Sequence, residues 1–196
     1  MKLTKILTIV FFVISIGLAY YLYSRIKFSI DEEARIKRIE AKVIDRLVMI
    51  REAQNAYQSV NREYAKDWDE LMDFIQNGTF YIIERTEEVI TLDYGADSSV
   101  FHYDTLGTVP VIDSLFSSEK HPGLDLQNLM IIPETDGKTF GLFTDKIEKS
   151  GVLVNVIEVR DVFPANPIRN EKNEARNKKP LRFGSRTDVT TAGNWE

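Results

Sequence analysis

Eighteen consecutive residues, Ile6 to Tyr23, carry no charge, and the forty from Arg25 to Tyr64 contain neither proline nor glycine. Nothing in this stretch interrupts an i→i−4 hydrogen-bond ladder, so the chain is committed to one long helix before any other element forms. Eighteen residues at ~1.5 Å each span ~27 Å, close to the thickness of a thin hydrocarbon core. Thr8, Ser15 and Gly17 are the only polar breaks before the closing tyrosines. Lys2 and Lys5 precede the run, and Tyr20, Tyr21 and Tyr23 close it, where amphipathic rings favour the membrane–water interface. These three tyrosines are the predicted membrane-interface residues.

A cleaved signal peptide competes with this reading, because Gly17-Leu18-Ala19 is a passable small-x-small site. Against cleavage, Tyr20-Tyr21-Leu22-Tyr23 carries the apolar run past that site, and helix-forming sequence continues without a break. The retained anchor is the reading adopted. Orientation draws two arguments. A count of positive residues (Lys2 and Lys5 before the run; Arg25, Lys27, Arg35, Lys37 and Arg38 after it) would hold the C-terminal part inside the cell. A very short basic N-terminus before an apolar run instead has the form of a signal anchor whose bulk is exported, and export to the periplasm of a bacterial inner membrane is expected.

Beyond the membrane, Ile36, Ile39, Val43, Ile50, Ala53, Tyr57, Val60 and Tyr64 recur at steps of three and four, with Arg46 alone breaking the heptad. Ile44, Leu47 and Val48 form a second, partial stripe, so this part of the helix is buried on more than one side. The seam can pack on the chain's own domain or meet a partner helix. Ile36, Ile39, Val43, Ile50 and Tyr57 are the candidate partner-contact residues, and on that reading Ile39→Glu breaks assembly without unfolding the domain. Phe28 to Glu40 is so charged that it is expected to stand free as a stalk.

The remaining chain changes period. Asp67 with Glu70 three residues on is a capping-box pattern, Leu71, Phe74 and Ile75 form an apolar face, and Gly78 supplies a stop. A short second helix is expected there. Strands are expected over Thr79–Glu84, Glu88–Tyr94, Val100–Thr105, Thr108–Asp113, Leu126–Ile132, Lys138–Thr144 and Val152–Val162. Asp136-Gly137 reads as a tight hairpin turn and Thr105-Leu106-Gly107 as a weaker one, while Pro110 points to an edge strand. Strands in sequence with no helices between them make an antiparallel sheet. The expected fold class is therefore α+β: an N-terminal transmembrane helix continuing into a long helix packed on an antiparallel β-sheet. The expected divisions are an anchor (1–24), a long helix or stalk (25–64), a globular α+β domain (65–165), and a polar loop with a C-terminal tail (166–196). The loop from Asn166 to Pro180 reads as mobile, with a basic contact site as its alternative. Leu181, Phe183 and Trp195 are expected to pin the tail to the domain.

Composition removes some kinds of chemistry. A net charge of −5 leaves no basic footprint for nucleic acid, and a cysteine count of zero removes disulfides, thiol nucleophiles, Cys–zinc sites and a lipid-modified N-terminal cysteine. His102 and His121 are the only histidines, at spacings that suggest no zinc site. His102 and Asp104 share a strand face and read as a surface pair. Asp67 with Asp69, and Glu87 with Glu88, read as solvated charge. No P-loop, dinucleotide glycine motif or nucleophile elbow is present. No catalytic residue, metal ligand or cofactor is expected.

Two resemblances add to this. The stretch IREAQNAYQSVNREYAKDWDELMDFIQNG, Ile50 to Gly78, resembles the helix end and following turn of type IV pilin-like proteins and type II secretion pseudopilins. Ala53, Tyr57, Tyr64, Ala65 and Leu71 hold the matching places. That resemblance implies a half-membrane helix packed on an antiparallel sheet. The chain departs from the pattern in lacking the processing site and the glutamate five residues into the apolar run. The phrases DTLGTVPVIDSLF, DKIEKSGVLVNVIEVRD and PLRFGSRTDVTTAGNWE resemble membrane-anchored proteins of the Bacteroidota. That similarity implies an anchor and a lineage, and no activity or site residues.

Together these readings lead to an expectation of a non-enzymatic structural or assembly component of a bacterial envelope machine. Its partners would be the inner membrane and other envelope proteins, or itself through the stalk helix, and not nucleic acid. The rivals are a non-polymerising bitopic scaffold of a type II- or type IV-like assembly and a periplasmic ligand-binding domain. The last needs a polar pocket lined by His102 or by Tyr81, Tyr94 and Tyr103.

Overall fold

The computed structural model describes residues 2–91, 97–117 and 119–196. Its first element is helix α1, Lys2–Asn61, unbroken over 60 residues and therefore ~90 Å long. It ends where Arg62 turns to a positive φ of 66°, its N–H still donating to the Gln58 carbonyl at 2.9 Å. The end falls a little short of Tyr64, because the chain must turn here to bring α2 back onto α1.

Helix α2, Trp68–Asn77, starts as its sequence predicts: the Asp67 carboxylate accepts from the Glu70 N–H at 2.8 Å, and Leu71, Phe74 and Ile75 are buried. Glu70 reaches back to the Lys66 N–H, at 2.8 Å, rather than to that of Asp67 itself. Gly78 stops the helix in an extended conformation, with its N–H on the Phe74 carbonyl.

Two antiparallel sheets follow. Strands β1 (Thr79–Thr91) and β2 (Asp97–Pro110) form a two-stranded ribbon; β3 (Gly141–Lys149), β4 (Val152–Arg160) and β5 (Arg182–Ser185) form a three-stranded sheet in that order. The class is α+β, with two separate sheets in place of the single one expected. Four expected strands have merged into the two arms of the ribbon. Glu84 to Glu88 does not interrupt β1, because both faces are in water there and neither demands alternation. Tyr94, the expected end of the second strand, lies outside the described residues. Thr105-Leu106-Gly107 is a bulge and not a turn: Ile82 faces Gly107 and Ile83 faces Thr105, leaving Leu106 as the extra residue.

Val111–Leu115 is helix α3, so the strand expected to run to Asp113 ends at Pro110. Leu126–Asn128 is a single 3-10 turn capped by Asp125, and the expected strand survives only as the bridge Ile131↔Thr139. The loop before Asp136-Gly137 is wider than a two-residue turn. The two-residue turn lies instead at Ser150-Gly151, whose φ values of 55° and 79° join β3 to β4 as a type I′ hairpin. Strand β5 was not anticipated. Gly184 within it has a φ of 81°, and a Cβ there would strike the Ile157 carbonyl.

The core forms where the second half of α1 meets α2, α3, the loop after α3, and strands β4 and β5. Val43, Leu47, Ile50 and Ala53 interdigitate with Leu71, Ile75, Val111, Leu129, Ile132, Phe140, Ile157, Val159, Leu181 and Phe183. The globular unit therefore draws on residues 39–61 of the helix and on the tail, and is not confined to 65–165. Leu181 and Phe183 are buried, and the Trp195 ring packs against the core, as the tail's composition suggests.

Candidate functional site

From Ile6 to Asp31 the described side chains of α1 are exposed on every side. Tyr20, Tyr21 and Tyr23 are 73%, 55% and 65% exposed, and the Arg25 guanidinium donates to the Tyr21 hydroxyl at 3.2 Å. This part of the helix is long and apolar enough to cross a membrane. Past it, charge is balanced within the helix itself, by Arg35 on Glu32 at 2.7 Å and Lys37 on Glu33 at 2.9 Å. Ser24 to Arg38 forms the length of helix between the apolar run and the core.

The heptad seam does not offer the partner surface expected of it. Ile39, Val43, Ile50 and Tyr57 are buried in the chain's own core, and Ile36 is half-buried beside Phe28 and Ile168. The physical reason is that the chain's own domain covers this face: Leu47, between Val43 and Ile50 on the helix surface, is wholly buried with them, so the seam is consumed. Arg46, which breaks the heptad, donates to the carbonyls of Asn128 and, at 3.2 Å, Ile131. It thereby satisfies a loop that has no ladder of its own, and burial lowers its pKa.

Two polar clamps, one buried and one half-buried, fix the domain to the rod. Gln54, fully buried, accepts from the Ala65 N–H at 3.0 Å and donates to the Ala65 carbonyl at 3.3 Å. Glu40 accepts from Arg169 at 2.6 Å and from Asn166 at 2.9 Å. Burial by itself would raise the Glu40 pKa; Arg169 and Asn166 outweigh it and hold the carboxyl below its usual range. Arg169 also donates to the carbonyls of Asn177 and Lys179, so the loop read as mobile is tied to the helix, and its first basic residue is already paired.

A third cluster lies under β5. Glu158 accepts from Arg182 at 3.0 Å and Arg186 at 2.8 Å, and Arg182 continues to Glu171, which Arg160 also contacts. These groups compensate one another within the fold. Asp161 is buried, which raises its pKa; the Phe163 N–H and Arg169 act in the opposite direction.

Among the described residues no group of three or more His, Asp or Glu could hold a metal ion. His102 is exposed and faces Glu88 at 3.3 Å, not Asp104 as its strand position suggests. His121 lies against the Phe116 ring. Tyr81 and Tyr103 are each 64% exposed on the ribbon; Tyr94 lies outside the described residues.

The ribbon is the feature that sequence reading missed as a surface. From Tyr81 to Ile90 every residue of β1 is exposed. Register places Tyr81, Ile83 and Val89 on one face with Phe101 and Tyr103, where the Arg85 guanidinium stacks 3.8 Å from the Phe101 ring. The base is anchored through Phe80, whose ring meets Phe74 at 6.2 Å. Merging the two short apolar runs on either side of Glu84–Glu88 into one strand would have revealed it. Comparison of the chain with known protein families, curated proteins and solved structures finds no match.

Proposed function

We propose that this chain is a membrane-anchored, non-enzymatic structural or assembly component of a bacterial envelope machine, holding an α+β domain on a rigid rod outside the inner membrane. The observation that carries this reading is the continuity of α1. One helix begins as an apolar, fully exposed segment and ends as the central element of the core, with no hinge residue between. From Ser24 to Ile39 the rod sets the domain ~22 Å from the apolar run, at ~1.5 Å per residue. A helix laid on an antiparallel sheet supports the pilin-like arrangement that the resemblance implies.

Burial of the heptad seam favours a non-polymerising scaffold over a filament subunit, because self-balanced charge, and no apolar stripe, faces outward between Asp31 and Arg38. Crosslinking in intact cells separates the two: a ladder of many subunits supports a filament, and a single dimer or heterodimer supports the scaffold. Fractionation, with the mass of the mature N-terminus, tests the anchor. A product beginning at Tyr20 and recovered in the soluble fraction would overturn it.

A further inference from the structure

Among the described residues nothing pairs with the outer edge of β1 or of β2, so each presents a row of unpaired N–H and C=O groups. The two edges differ. β2 carries the bulge at Leu106, then Gly107 and Pro110, devices that twist an edge and remove a donor. β1 runs 13 residues with no bulge of its own, no proline and no glycine.

Its sequence, TFYIIERTEEVIT, has a pattern that reads similarly in both directions about Thr86. Laid antiparallel against a second copy, with a two-fold axis through Thr86, Ile82 meets Ile90 and Ile83 meets Val89. Arg85 meets Glu87, and Thr86 meets Thr86. The axis generates each of the first three pairs twice. Directly opposite residues in an antiparallel pair share a face, so these are true side-chain contacts, apolar with apolar and cation with anion. All of these residues are exposed in the single chain; Ile82, Ile83, Val89 and Ile90 are 46%, 57%, 59% and 44% exposed. One kind of like-charge pair remains, Glu84 against Glu88, also generated twice, and Glu88 has His102 of its own chain 3.3 Å away.

We infer that β1 is a homodimerisation edge, joining two ribbons into one four-stranded antiparallel sheet. This stands apart from the scaffold reading: the pairing follows from the strand's own pattern and does not depend on what the assembly does. It supplies the isologous contact that a two-fold dimer requires, the same patch on both subunits.

The chain has no cysteine, which makes the test direct. In Thr86→Cys the two thiols face each other across the axis, with Cα atoms ~4.5–5.5 Å apart, inside disulfide reach. Mild oxidation of the full chain in detergent should give a covalent dimer within minutes, whereas Leu106→Cys, equally exposed on β2, should stay monomeric. Charge provides the second arm. Arg85→Glu and Glu87→Arg should each weaken the dimer about tenfold in sedimentation, since each places two like-charge pairs across the axis. The double swap should restore it. Far-UV circular dichroism of each variant confirms an unchanged fold. The inference is overturned if Thr86→Cys crosslinks no faster than Leu106→Cys, if it crosslinks in native membranes to a different protein in place of itself, or if the double swap dimerises no better than the single variants.

Discussion

Gln54 on the long helix meets both backbone polar groups of Ala65, accepting from its N–H at 3.0 Å and donating to its carbonyl at 3.3 Å. The contact bridges the bend between α1 and α2 with a fully buried side chain that imitates a β-ladder partner. Gln54→Leu keeps much of the volume and leaves a buried N–H and C=O unpaired. Each unmade bond costs about 1–3 kcal/mol. A loss of about 2–5 kcal/mol is expected in the denaturant midpoint of the full chain, while Gln54→Glu, which retains the acceptor, should lose less at a pH where the carboxyl is protonated and can also donate.

Ile39 marks where the rod enters the domain. It is 5% exposed and belongs to the core. Ile39→Ala should therefore cost about 2–5 kcal/mol, and Ile39→Glu should unfold the domain, not merely detach a partner. Ile36→Glu, half-exposed one turn earlier, should leave the cooperative melt nearly unchanged. Thermal denaturation of the three variants side by side checks the boundary. Equal losses at 36 and 39 would mean that the core extends further toward the membrane.

What sequence reading recovers and what it misses divides along locality. Helix α2 is legible because Asp67, Glu70, Leu71, Phe74 and Ile75 carry their signal within one short window, and the long helix is legible because no residue opposes it. Of the second apolar stripe only Leu47 is buried, beside Val43 and Ile50, while Ile44 and Val48 stay half-buried, so the expected second buried side is met only in part. The ribbon was hidden because a strand exposed on both faces has no core to impose a period of two, so Glu84 to Glu88 read as a break. Strand β5 is four residues with Gly184 at positive φ, too short and too irregular to stand out. The Glu40–Arg169 and Glu158–Arg182 pairs join residues far apart in the chain, and nothing near either partner announces the other.

Gly184 should tolerate no side chain. Its φ of 81° strains any L-residue, and a Cβ would also strike the Ile157 carbonyl across the β4–β5 pairing. Gly151, at a φ of 79°, has open space around it. Gly151→Ala should cost about 1–2 kcal/mol, the penalty of the left-handed conformation alone. Gly184→Ala should cost clearly more and loosen β5, read as faster amide exchange from Arg182 to Ser185 than in the Gly151 variant.

Tyr57 gives the fold an alkaline limit. Burial, with a hydrogen bond to Glu70 at 2.5 Å, pushes its pKa up to about 12. The unfolded chain ionises this group near its ordinary value of about 10. The contribution is therefore complete below about pH 10 and is lost as pH rises toward 12. Tyr57→Phe removes the group. At neutral pH it should cost about 1.5–3 kcal/mol, the worth of a hydrogen bond to a charged acceptor. Between pH 10 and 12 the gap between the two proteins should close, as measured by urea unfolding at each pH. A gap that stays constant would show that the phenol does not ionise later in the folded chain.

Glu40 sets the acid side, and it does so through a loop. Its carboxyl is held below the usual range despite burial, which by itself raises it, because Arg169 and Asn166 both donate to it. A depressed folded pKa means that the contribution is present above the unfolded value, about 4.3, and is lost as pH falls through that value and on through the lower folded one. The same Arg169 holds the carbonyls of Asn177 and Lys179, so releasing Glu40 frees the segment between Asn166 and Pro180 at the point where it crosses α1. Arg169→Ala should speed tryptic cleavage at Lys172 and Arg176 several-fold at neutral pH while the domain melt shifts less. Glu40→Gln should flatten the acid limb of the stability curve, because a neutral amide has no proton to gain. Cleavage at an unchanged rate in Arg169→Ala would show that the loop is held by its other contacts, Arg160–Glu171 and Arg176 to Ala192, and that the Glu40 clamp is secondary to them.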